Sequence, residues 1–254
     1  MAFENIQFSV KEKVARLVLS RPPVNVMNMA MMREMTGVFE EVAGRKDVRV
    51  LAISGEGKGF SAGVEVAEHI GEKAQEMIEV FHGLFRALET VEIPVVAVVH
   101  GMALGGGCEL VSLCDIVLVA EESKIGQPEI QVGVFPPVAA AAWPRRMGWA
   151  AAADLIFSGR TIRGAEAVTM GLASRCHPGD ALEEEAETYL GGLASLSRPV
   201  LRATKRALRA GGAPALGALD DVESVYLDEL MKLEDAHEGL TAFLEKRSPR
   251  WKDR

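Results

Sequence analysis

The chain has 254 residues, 48% of them hydrophobic and 25% charged, a balance expected of an ordinary soluble globular protein long enough to bury a core without covalent staples. A net charge of −8 with scattered basic residues argues against nucleic acid or an anionic membrane as the main partner, while leaving room for a local basic pocket. The three cysteines, Cys108, Cys114 and Cys176, are too few and too irregularly spaced for a disulfide framework, and Cys108 and Cys114 read as core filler; no His or Cys spacing suggests a metal, and no apolar run is long enough to span a bilayer, so a reducing cytoplasm is the expected compartment.

In chain order, residues 6–10 and 14–20 read as two strands around a Lys-Glu-Lys turn, ended by Pro22-Pro23. Residues 29–42 have a helical pattern. VRVLAIS, residues 48–54, is a continuous apolar run suited to a strand buried on both faces. Met77, Phe81, Leu84, Phe85 and Leu88 recur at helical spacing and predict a helix over 73–90. VVAVV before His100 and the run 115–120 are further buried strands, with a glycine-rich loop over 101–107 and a helix between them. This order predicts an α/β layered domain with largely parallel strands. Beyond about residue 137 helices dominate. Asp180 and Glu183 suggest a capping box, Ser197 a cap with Pro199 in the next first turn, and 216–233 and 234–246 two final helices, with a short hinge at 211–214 before them.

The chemistry-bearing stretch is ALGGGCELVSLCDIVLVAEESKIGQPEIQVGVFPP, residues 103–137. Glu109 follows Gly105-Gly106-Gly107, and Glu129 sits in Gly126-Gln127-Pro128-Glu129. Glycines let a backbone approach a ligand or turn tightly, and by themselves they favour the tight turn. A second loop of similar character, Lys58-Gly59-Phe60-Ser61-Ala62-Gly63, also follows a buried strand and precedes a possible helix. Loops at the carboxyl ends of parallel strands are where such folds place ligands, and one N–H from each could hold a developing oxyanion. Paired carboxyls nearby could divide acid and base work.

These segments, with Arg21–Met27, Val95–Asp115 and the C-terminal GLTAFLEK, resemble the crotonase (enoyl-CoA hydratase/isomerase) superfamily over nearly the whole chain. The resemblance implies a spiral of ββα turns over residues 1–195 carrying an acyl-CoA site, and a C-terminal helical region over 196–254 that builds a homotrimer or dimer of trimers. It implies no prosthetic group, coenzyme A entering only as part of the thioester substrate. By motif position the two oxyanion donors fall on the N–H groups of Ala62 and Gly106. Glu109 would act as base on water and Glu129 would deliver a proton to the α-carbon. Lys58, Ala62, Gly63, Val64, Phe243 and Lys246 would contact the CoA portion.

One departure stands out. Where typical hydratases of the family continue Pro-Gly-Ala-Gly-Gly, this chain has Pro136-Pro137-Val138-Ala139-Ala140. Pro137 offers no N–H, although it suits the first turn of a helix. With FSAGVE and GQPEIQVGVFPPVAA, this resembles the cyclohexa-1,5-diene-1-carbonyl-CoA hydratase subgroup, which acts in anaerobic breakdown of aromatic acids. The competing expectations are a straight-chain enoyl-CoA hydratase, a crotonase-fold isomerase or lyase, and an RNA-binding homologue. A glycosidase reading of the paired carboxyls leaves the glycine loops without a purpose. His69 and His100 read as packed or hydrogen-bonded side chains.

Overall fold

The computed structural model describes residues 3–69, 71, 73–211 and 219–252. Strands β1 (Ile6–Lys11) and β2 (Val14–Leu19) form an antiparallel hairpin. Helix α1 (Met29–Gly44) is capped by Asn28, whose side chain accepts from Met31 N at 2.9 Å. There follow β3 (Val50–Gly55), α2 (Lys73–Thr90), β4 (Val95–Val99), β5 (Met102–Leu104), α3 (Gly106–Ser112), β6 (Ile116–Ala120) and β7 (Lys124–Gly126). The chain continues with α4 (Pro137–Arg146), α5 (Trp149–Ser158), β8 (Thr161–Ile162), α6 (Gly164–Thr169), β9 (Arg175–His177), α7 (Leu182–Ser195), α8 (Arg198–Gly211), α9 (Leu219–Ser224) and α10 (Glu234–Leu244).

The main sheet runs β1-β2-β3-β4-β6-β9, parallel throughout after the first hairpin. Period two divides its side chains. Leu51, Ile53, Val95 and Ala97 join the large core, whereas Val50, Ala52, Val96 and Leu118 face Leu182, Ala186 and Leu190 of α7. The near-continuous apolar runs of the sequence are therefore strands covered on both faces.

A second ladder stands beside this sheet. Its rungs are the parallel bridges Met27–Val64 and Ser61–Ala103, then β5 with β7, and β7 with β8. Each turn of the chain leaves the main sheet, adds a rung here and returns through a helix, which makes the fold a spiral. The loop expected over 101–107 thus contains a short strand, because Leu104 N donates to Ser61 O at 3.0 Å and draws it into the ladder.

Three local expectations change. No capping box forms at α7: Ala181 N bonds Pro178 O at 3.0 Å, so a turn carries the chain into the helix with Ala181, not Asp180, at the cap position. The helix expected over 216–233 is α9 followed by a π turn at Val225–Glu229 and a 3-10 turn at Leu230–Lys232. The loop at 58–63 leads only into a 3-10 turn, Val66–Glu68. Pro199 does lie in the first turn of α8. The hinge at 211–214 falls largely outside the described residues. Among the described residues no helix is long and apolar enough to cross a membrane, and no group of three metal-ligating side chains gathers.

Candidate active site

The two glycine loops meet on the second ladder. Asn25, fully buried, donates its side-chain amide to the carbonyls of Glu56, Gly59 and Phe60 at 2.9, 2.9 and 3.1 Å. Ser61 Oγ in turn donates to Asn25 O at 2.7 Å. These bonds fix the 58–63 loop against β5. On the other side Gly105 N bonds Gly126 O at 3.0 Å, placing the start of α3 beside the chain that leads to Glu129.

Between the loops lies a cavity of about 490 Å³ lined by Ala62, Gly63, Val64, Gly105, Gly106, Glu109, Glu129, Phe135 and Tyr226, among others. Phe81 and Phe85 pack edge to face at 4.8 Å behind it, and Phe81 reaches its wall. Gly105 and Gly106 are required as glycines. A Cβ on Gly105, which has φ +51°, would lie 2.8 Å from Glu129 Oε1, and one on Gly106 would lie 2.5 Å from Val64 Cγ2.

Both glutamates therefore border one space. Glu109 sits on the buried α3, and its Oε1 accepts the Ala139 N–H at 2.8 Å. Burial pushes its pKa up to about 7, against the opposing pull of the Ala139 and Val138 N–H groups. Glu129 is pushed well above the usual carboxylate range by burial and then by the charge of Glu109. The Gln127 amide is fully buried. With its nitrogen turned to Gly105 O at 3.2 Å it lies 3.0 and 3.1 Å from the two Glu129 oxygens. Both carboxyls thus have N–H partners, and it is burial with the added charge of Glu109 that favours Glu129 as the protonated partner.

The expected Ala62 donor is corrected by its own hydrogen bond. Ala62 N–H donates to Val24 O at 2.9 Å and is engaged within the fold. In the bridge to Met27, the bonds run from Met27 N to Gly63 O and from Glu65 N to Met27 O, at 2.8 and 2.9 Å. Val64 between them turns its N–H the other way, towards the glycines that open α3. Its side chain adjoins Gly106, the first residue of that helix, whose N–H has no intrahelical acceptor. Val64 and Gly106 thus both line the cavity with N–H groups that take no part in the bonds described above.

Of the other residues named from the sequence, Gly63, Val64 and Phe243 line the cavity, whereas Lys58 and Lys246 are exposed and outside its lining. His69 lines the cavity and its Nδ1 lies 3.1 Å from Glu65 O; His100 Nε2 lies 3.1 Å from Gly57 O. Sequence reasoning did not single out Asn25, Gln127 or Tyr226. Gln127 was legible beside Glu129; Tyr226 comes from a distant turn and carried no motif.

A parallel-stranded spiral with two glycine loops and two carboxyls on one apolar cavity defines an α/β enzyme of the crotonase fold. A sequence profile described as enoyl-CoA hydratase/isomerase matches residues 9–254, and the chain belongs to that family. It is 39% identical to cyclohexa-1,5-dienecarbonyl-CoA hydratase of Thauera aromatica over 245 residues, covering 94% of this chain and 93% of that protein. It is 34% identical to 2,3-dehydroadipyl-CoA hydratase of Escherichia coli K12, covering 97% and 98%. Among solved structures, an enoyl-CoA hydratase from Mycobacterium avium subsp. paratuberculosis superposes with a TM-score of 0.88 at 28% identity, over 99% of this chain and 100% of that one. The relatives are hydratases of CoA thioesters, which supports hydro-lyase chemistry for this chain.

Proposed function

We propose that this chain adds water to a cyclic 1,5-dienoyl-CoA thioester, in the breakdown of dearomatised aromatic acids. The observation that carries the reading is the convergence of Glu109 and Glu129, differently tuned, on one cavity beside the Val64 and Gly106 N–H groups. In this mechanism ionised Glu109 takes a proton from water while the water oxygen bonds to the carbon β to the thioester carbonyl. The displaced electron pair moves through the conjugated system to the thioester oxygen, held by the N–H groups of Val64 and Gly106. Protonated Glu129 then delivers its proton to the α-carbon as the carbonyl re-forms, completing the C–H bond of the hydrated product. The cyclic substrate is supported by the likeness to the Thauera protein and by Pro137, which starts α4 at the cavity wall and offers no N–H there.

Coenzyme A enters as part of the substrate, with Phe243 at the cavity mouth and Lys58 and Lys246 as outer phosphate contacts. Residues 196–254 form the assembly region of a homotrimer or dimer of trimers in the cytoplasm. Exposed Leu196, Val200 and Leu208 on and before α8 suit a buried subunit contact. The test is turnover. Crotonyl-CoA and cyclohexa-1,5-diene-1-carbonyl-CoA are offered to purified protein and hydration is followed spectrally. Faster use of the cyclic diene is expected; good turnover of crotonyl-CoA alone establishes the straight-chain reading instead.

A further inference from the structure

Tyr226 is fully buried, at 1% exposure, yet it lines the same cavity as Glu109 and Glu129. It sits in the π turn after α9, where its ring packs edge to face on Phe135 at 5.3 Å. Helix α9, which leads into that turn, is fastened to the cavity-lining helix α2. Glu223 bonds buried His82, and Asp220 pairs with Arg86 at 2.6 Å. The ring is thus held from two sides.

The hydroxyl has no hydrogen-bond partner among the described residues, and both glutamates act on it only through their charge. Burial and those charges raise its pKa, so it keeps its proton and can donate to an incoming oxygen. The other polar side chains of the lining are occupied differently. Gln131 Nε2 donates to Gly159 O at 3.1 Å. His69 Nδ1 faces the Glu65 carbonyl, so the neutral ring that burial favours presents an acceptor to the cavity. The Ala139 N–H is taken by Glu109, and Pro137 has none. Val64 and Gly106 serve the thioester oxygen in the reading above.

We propose that the Tyr226 hydroxyl is a third catalytic group of this site, donating a hydrogen bond to the oxygen of the water that adds to the acyl group. The inference rests on the hydratase reading. One lone pair of the water oxygen accepts from Tyr226 and the other forms the C–O bond. The proton released goes to Glu109, and Tyr226 keeps its own. In the product the same hydroxyl donates to the newly formed alcohol oxygen.

The test compares Tyr226→Phe with wild type in the full chain, since this change removes one oxygen and keeps the packed ring. Hydration kcat is expected to fall by about ten- to a hundredfold, with thermal unfolding unchanged. In a Glu109→Gln background, which prevents turnover, Tyr226→Phe is expected to weaken binding of 3-hydroxybutyryl-CoA by about three- to tenfold. Binding of butyryl-CoA, which lacks the alcohol, stays the same. Equal weakening of both thioesters, or an unchanged kcat, overturns the proposal. Wild-type protein that hydrates neither crotonyl-CoA nor the cyclic diene overturns the hydratase reading and this proposal with it. Loss confined to neither rate nor hydroxyacyl binding overturns this proposal alone.

Discussion

Ala139 donates its backbone N–H to Glu109 Oε1 at 2.8 Å, joining the start of α4 to a carboxyl thirty positions earlier. That bond, together with the Val138 N–H, opposes the burial that pushes Glu109 up to about 7. A base must be ionised to take a proton from water. Hydration is therefore expected to rise with pH through about 7 and to fall again once Glu129 loses its proton, read as kcat/KM against pH. A profile flat from about pH 5.5 to 8.5 would remove Glu109 from the base role.

The same shift bears on stability. Glu109 titrates near its ordinary 4.5 when unfolded and near 7 when folded. Between those values the folded chain binds the extra proton, so its stability falls as pH rises and is lowest, from this group, above 7. Replacing Glu109 by Gln removes that penalty. The variant is expected to be more stable than wild type at pH 8, by up to about 3 kcal/mol at roughly 1.4 kcal/mol per pKa unit. The gain should vanish below about pH 4.5, and denaturant unfolding at the two pH values measures it. Its hydration rate should fall by at least about a hundredfold.

The two loop amides separate by backbone substitution. Exchanging the Val64 amide for an ester removes one donor to the thioester oxygen, and a loss of about 10²–10³ in kcat is expected. The same exchange at Ala62 breaks its bond to Val24 and should cost about 1 kcal/mol of stability, with a much smaller effect on rate. Equal rate losses at both positions would return Ala62 to the oxyanion site.

Pro137→Gly restores an N–H at the first position of α4 without adding bulk to the cavity wall. The ratio of crotonyl-CoA to cyclic diene turnover is expected to rise several-fold. An unchanged ratio separates Pro137 from substrate choice.

Much of the fold was legible because its strands are covered on both faces. VRVLAIS and VVAVV read directly as β3 and β4, and the spacing of Met77, Phe81 and Phe85 located α2 to the residue. Short strands escaped, since three residues such as Met102–Leu104 carry no period and exist only through bonds to Ser61 and Lys124. The glutamates were legible from their glycine and proline settings. The proposed donor in the 58–64 loop was legible only to within two residues, because which N–H of that loop is free depends on the bridge to Met27. Tyr226 was invisible because a π turn places it by packing against Phe135 and not by local pattern.

Val64 is bridged to Met27 on the second ladder, and Gly106 opens α3 just after β5, which is itself bridged to Ser61 through Ala103. The two loops that carry them are thus fastened to one ladder, whose neighbouring strands lie about 4.8 Å apart as in any sheet. The helices and turns that wall the acyl chamber hang from that ladder without belonging to it. In the proposed reaction, substrate range can consequently drift by changes in α4 while the two loops fastened to the ladder keep their places.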